Sequence, residues 1–334
     1  MEIPANKFLP TTETDKINKK LVHKHNEENV FVSKIVQNTD NKFTVFSTID
    51  TIHSVYNDHS SGLNASMYFI ELGRQANMAI CHRYFDVDFE TNFVVLEIKW
   101  VFEDTRPFIQ TTLEPWKIDI DFVMKKTLAG RTWYKTKTVF FQGYKAFLMG
   151  HSRFFHNSKS MDEWQTGSDS YSHQSSLALS EIIDYLQISN PDNILITCPK
   201  RSQDNGSFQA KMCVNPEHPY FFEHPNAHVP GMMLFEAGKQ LSLCSLKMMH
   251  ANLAQMYGDL ISGTVKFKKI AAFKPEIQLV TKTEKPETRA DCVIVFSSIN
   301  FFQNGEWLGK IECTTSFVQA NEVMRSSIFL GHCS

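Results

Sequence analysis

Two segments carry acids, histidines and bases in the same order. "YNDHSSGLNASMYFIELGRQ" begins at Tyr56 and "FFEHPNAHVPGMMLFEAGKQ" at Phe221, an offset of 165 residues. Without gaps, Asp58 falls on Glu223, His59 on His224, Glu71 on Glu236, Arg74 on Lys239 and Gln75 on Gln240. Helix positions i and i+3 share a face, so Glu71 lies with Arg74 and Glu236 with Lys239. A solvated surface ion pair would explain each couple and contribute only a few tenths of a kcal/mol. The flanking residues are apolar in both helices, however, and a charge pair there needs a polar destination. A glutamate whose pKa is raised by burial could accept a hydroxyl proton. Arg74 and Lys239 could balance an anionic substrate. His224 is a loop histidine ahead of the second helix and a candidate acid–base group. His228 and Gln240 are candidates for substrate contact, although on its own His228 reads as a packing or loop-fixing residue.

These side chains need elements to hold them. "ASMYFIELGRQANMAICHRYF" (65–85) and the run from 231 to about 257 are too long and too apolar for strands and read as buried helices. Alternating segments at 30–37, 42–49, 93–102, 117–128 and 134–150 read as strands. So do 193–197, 207–214, 263–270, 276–285, 290–305 and 306–318. "NFFQNGEWLG" is a hairpin signal with Asn-Gly at its tip. Each half repeats one plan: strands, one long helix, then antiparallel strands. The expected division is 20–155 for an N-terminal domain, 156–190 for a serine-rich linker with a short helix, and 191–325 for a C-terminal domain.

Bulk composition excludes several classes. A net charge of -2 in 334 residues, with no basic block, argues against a nucleic-acid binder. No apolar run approaches the roughly 20 residues of a membrane span, and "MEIPANKFLPTTETDKINKK" has no apolar signal core. The 7 cysteines lack paired spacing, which suits free thiols in the cytoplasm. His218, His224 and His228 have no metal-ligand spacing, and no glycine-rich phosphate loop occurs. No metal or cofactor is expected.

"HPYFFEHPNAHVPGMMLFEAGKQ" resembles the second-domain signature of the A-factor biosynthesis (AfsA-like) family of tandem hotdog proteins. "ELGRQANMAICHRYFDV" and "LVHKHNEENVFVSKI" are similar to that family's first helix and opening strand. The resemblance spans roughly 20 to 320. It implies an α+β protein of two tandem hotdog folds, each a long helix wrapped by an antiparallel sheet, joined edge to edge as an intrachain pseudo-dimer. It also implies an acyltransferase of γ-butyrolactone or butenolide biosynthesis. Such an enzyme transfers a β-ketoacyl group from an acyl carrier protein or coenzyme A thioester to dihydroxyacetone phosphate. A hotdog dehydratase or thioesterase and a non-catalytic acyl-binding protein are the alternatives. Under this reading Glu71, Glu236 and His224 are catalytic, and Arg74, Lys239, His228 and Gln240 bind substrate. Two departures stand out. Ala227 occupies a position where the family pattern suggests an acid, and Lys239 one where it suggests arginine. A single working site is favoured, built around Lys239, because "LNAS" replaces the His-Val-Pro-Gly loop in the first half.

Overall fold

The computed structural model describes residues 16–48, 53–58, 66–103, 115–157, 176–203, 206–223, 228–289 and 292–319. The first half contributes β1 (Val32–Thr39), β2 (Lys42–Ser47), α1 (Ser66–Tyr84), β3 (Phe93–Phe102), β4 (Lys117–Leu128), β5 (Arg131–Gln142) and β6 (Lys145–Asn157). After α2 (Ser176–Leu186), the second half contributes β7 (Lys200–Arg201), β8 (Ser207–Lys211), α3 (Gly231–Met249) and β9 (Met256–Phe267). It ends with β10 (Ile277–Thr283), β11 (Glu287–Arg289), β12 (Cys292–Gln303) and β13 (Glu306–Gln319). No helix among the described residues is long and apolar enough to cross a membrane.

The strands form one antiparallel sheet in the order β1-β2-β4-β5-β6-β3-β9-β13-β12-β10-β8-β7, with β11 beside β12. Outward from its middle, the two halves have the same connectivity. The seam is β3 against β9, and at its centre Lys99 faces Thr264, its own counterpart at offset 165. Pairs then run symmetrically from Glu97 with Lys266 to Val101 with Ser262. Both seam strands also bulge at equivalent places. The β3 register shifts between Val95 and Glu97, and the β9 register skips Ile261. The hotdog architecture and the edge-to-edge pseudo-dimer are therefore present.

α1 and α3 are each 19 residues long, begin 165 residues apart, and are buried on nearly every face. A helix buried on nearly every face belongs inside a sheet rather than on it. Phe69 of α1 packs edge-on against Phe102, Trp116, Phe140 and Phe147. α3 places Phe235 5.0 Å from Trp100, a β3 residue of the other half. One apolar core runs through both halves.

Three local readings need correction. The run 134–150 is not one strand: the chain reverses at Gly143, where φ is +57°, and separates β5 from β6. The segment 193–197 contributes only an isolated bridge, Ile196 to Met212, after a 3₁₀ turn at Pro191–Asn193. The second helix stops at Met249, and β9 has begun by Met256. The Asn304-Gly305 hairpin tip is as expected, with φ of 52° and 73°.

Candidate active site between the two halves

Helical spacing carries Glu71 and Arg74 to the same side of α1. Arg74 grips the carboxylate with two parallel bonds, Nε to Oε2 at 2.7 Å and Nη2 to Oε1 at 2.8 Å. Gln75 donates to Oε1 at 3.0 Å, and the Lys24 ammonium lies 3.9 Å from it. Burial alone would raise the Glu71 carboxyl, but Arg74 and Lys24 carry it down to about 2. Burial also lowers Lys24, with Glu71 and Glu223 opposing. Lys24 meets Glu223 at 3.0 Å and sits 3.9 Å from the centre of the Tyr220 ring. Glu223 and Tyr220 come from the second half, and the Tyr220 hydroxyl is 2.7 Å from that of Tyr56 in the first.

These groups line a cavity of about 450 Å³, within the usual range for a small-molecule site. Glu71, Arg74 and Lys24 lie on the first-half side; Tyr220, Glu223, His228 and the start of α3 lie on the second-half side. Among the described residues, five cationic side chains (Lys24, Arg74, Arg131, Lys268, Lys269) and two acids, Glu71 and Glu223, line the cavity. Aromatic rings, among them Phe93, Phe155, Phe235 and Phe267, supply an apolar wall. Behind Arg74 and Met78 lies a smaller space of about 80 Å³ between α1 and the sheet, lined by Ile70, Gly73, Phe140 and Leu148. His224 lies outside the described residues, as do His59 and Ala227.

The counterpart residues in the second half do not line this cavity. Glu236, Lys239 and Gln240 are buried on α3. Lys239 lies 3.6 Å from Glu236 and 3.8 Å from Asp259 of β9. Burial raises the Glu236 carboxyl, and Lys239 and Gln240 only partly offset it. Among the described residues, Glu236 Oε2 is buried without a hydrogen-bond donor. Burial would lower Lys239, but the two carboxylates more than restore it. Gln240 is committed to the backbone: it donates to Asn193 O and accepts from Leu195 N, both at 2.8 Å. Gln75 does the same for Asn29 O at 2.8 Å and Phe31 N at 2.9 Å. The glutamines therefore tie each helix to its opening segment.

The acids before the histidines are also clamps that cross between halves. Asp58 accepts from the Asn190 amide at 3.1 Å, and Glu223 from the Asn26 amide at 2.9 Å. His53 and His218 form a third matched pair, missed as such in the sequence. Nδ1 of His218 accepts the amides of Tyr220 and Phe221, and that of His53 accepts those of Val55 and Tyr56. The proton then sits on Nε2, facing Asn193 Oδ1 and Asn29 Oδ1 respectively. Burial pushes the His218 imidazole down to about 4. Lys24 and Asp259 were also missed. Lys24 sits in an aperiodic polar stretch that gives no signal. Asp259 had one, as a lone acid in the apolar strand "MYGDLI".

A family model for the A-factor biosynthesis hotdog domain matches residues 7–115 and 188–319, more than half of the chain. The chain belongs to the AfsA hotdog family. Among curated proteins, none matches it. Solved structures with a similar chain course include the dehydratase domain of RzxB from Pseudomonas fluorescens. It is 14% identical, with 86% of this chain and 97% of that one covered and a TM-score of 0.46. The dehydratase domain from the CurJ module of curacin polyketide synthase is 10% identical, with coverages of 87% and 98% and a TM-score of 0.47. An acyl-CoA thioesterase II, TesB2 from Mycobacterium marinum, is 10% identical, with coverages of 90% and 96% and a TM-score of 0.44.

Proposed function

We propose that this AfsA-family protein is an acyltransferase that condenses a β-ketoacyl thioester with dihydroxyacetone phosphate or a similar small hydroxyl acceptor. The thioester is carried by an acyl carrier protein or coenzyme A. The observation that carries this reading is that cationic side chains and aromatic rings line the same cavity. A phosphorylated triose brings negative charge for the cations, and an acyl chain suits the rings.

In this reading the acceptor hydroxyl attacks the thioester carbonyl. A C–O bond forms, the C–S bond breaks, and the thiolate leaves and is protonated. The hydroxyl proton passes to His224, the residue after Glu223. Carbon–carbon condensation within the new ester then closes the ring with loss of water. Glu71 is too strongly ionised to be an effective proton acceptor near neutral pH. Its fixed negative charge suits holding Arg74 and stabilising a protonated histidine. His228 and Arg74 contact substrate, whereas Glu236, Lys239 and Gln240 hold the fold.

Incubation with a β-ketoacyl carrier thioester, with and without dihydroxyacetone phosphate, followed by mass spectrometry, tests the reaction. A phosphorylated butenolide formed only with the triose is expected. Free acid or enoyl thioester made without the triose would move the assignment to a thioesterase or dehydratase. No turnover of any donor would leave an acyl-binding protein.

A further inference from the structure

The two halves differ at one place that their shared geometry makes comparable. The helices start at Ser66 and Gly231, the seam is centred on Lys99 and Thr264, and both seam strands bulge at offset 165. Arg74 is thus the counterpart of Lys239, Gly231 of Ser66, and Val94 of Asp259. In the second half the buried Asp259 carboxylate closes the N-terminus of α1. Oδ2 accepts the Ser66 amide at 2.6 Å, and Oδ1 accepts the Ser66 hydroxyl and the Leu260 amide, each at 2.8 Å. The same carboxylate lies 3.8 Å from Lys239. An anion there bridges a helix start and a cation on the facing helix.

The first half keeps the helix start and the cation but not the carboxylate. Among the described residues, α3 begins after Pro230 without a side-chain cap, and Gly231 replaces the serine that donates its hydroxyl. The first amides of a helix have no intrahelical acceptor and carry partial positive charge. Arg74, Val94, Gly231 and Met232 all line the cavity. Of the five N–H groups of Arg74, three are engaged by Glu71 and Met78 among the described residues. Two remain, and the side chain is 24% exposed.

We propose that the space between Arg74, Val94 and the Gly231–Met232 end of α3 binds an anionic group of the ligand, a phosphate or carboxylate. In the second half the chain's own Asp259 fills the equivalent position. This rests on the reading of the cavity as the working site, and under that reading the group is the acceptor's phosphate. It also accounts for the asymmetry of the halves: one position is closed by an internal carboxylate, and the other is left for a ligand.

The test titrates inorganic phosphate and, separately, acetate into the intact protein at constant ionic strength, read by calorimetry and thermal melting. Saturable binding of phosphate, acetate or both is expected, and the better ligand identifies the group. Val94→Asp should install the missing carboxylate, weaken that binding at least about tenfold by like-charge repulsion, and raise the melting temperature without added anion. Val94→Asn should bind within about threefold of the parent. Unaltered anion binding by Val94→Asp, or none by the parent, would overturn the site. If Val94→Asp does not fold, Asp259→Ala supplies the second arm: formate should restore its melting temperature more than chloride does, and equal effects would overturn the proposal. Anion binding that Val94→Asp abolishes, in a protein with no acyl transfer, would retain the site and reject the acyltransferase. Acyl transfer to the triose that Val94→Asp leaves unchanged would do the reverse.

Discussion

Glu71 is 1% exposed and carries a full charge because Arg74 meets both of its oxygens. Its folded pKa of about 2 lies below the ordinary 4.5. A depressed carboxyl stabilises the fold fully above its unfolded pKa, and that contribution is lost as pH falls from 4.5 towards 2. At about 1.4 kcal/mol per unit this amounts to about 3 kcal/mol. Glu71→Gln should therefore show a shallower loss of urea stability between pH 5 and 2.5 than the parent, and lower stability at pH 7 because Arg74 loses its partner. Parallel stability–pH curves for the two proteins would contradict the assignment. The Glu–Arg spacing was legible in the sequence, but the sense of the shift was not. Raised burial and a bidentate partner act in opposite directions, and only the distances decide between them. Glu236 has the same spacing, yet a longer contact to lysine leaves its carboxyl raised.

Elements explain why matched residues need not be matched in function. The positions shared by both halves, Gln75 with Gln240, Asp58 with Glu223 and His53 with His218, fasten loops and opening segments to the helices. The repeat in sequence made the glutamines and the acids legible as matched positions but not as fasteners, because offset alone does not show which backbone groups a side chain meets. Three of the residues that line the cavity differ from their counterparts: Arg74 from Lys239, Val94 from Asp259 and Gly231 from Ser66, and neither Asp259 nor Ser66 lines it. Helix existence was legible from apolar run length, but the end of the second helix was not, because the apolar run continues into β9. The choice between two equally spaced acid–base pairs was not, because spacing fixes a shared face and not what lies opposite. Gln240→Leu should cost about 1–3 kcal/mol by leaving the buried Asn193 carbonyl and Leu195 amide unpaired. Its KM for either substrate should stay within about twofold of the parent. A large rise in KM without loss of stability would return Gln240 to the substrate site.

The whole molecule depends on how closely the halves meet along β3 and β9. Trp100 lies opposite Gly263 at the seam. A Cβ on Gly263 would come within 2.6 Å of both the Trp100 indole and the Glu312 carbonyl. Both contacts must then be relieved, and Trp100 also packs on Phe235 of α3, which lines the cavity. The 165-residue offset made the duplication legible, but nothing in the strand alternation marked which edges join. Edge strands and central strands share the same period. Gly263→Ala is expected to lower stability by about 1–3 kcal/mol through overpacking and to impair use of both donor and acceptor, since the cavity is built from both halves. Tyr144→Ala, on an exposed turn away from the seam, should change neither. Trp100→Leu introduced with Gly263→Ala should recover part of the loss, because the indole is one of the two obstructions. A double-mutant cycle measured by urea unfolding gives the coupling. Strict additivity would mean that the seam accommodates the methyl elsewhere and that the halves are not locked together through Trp100.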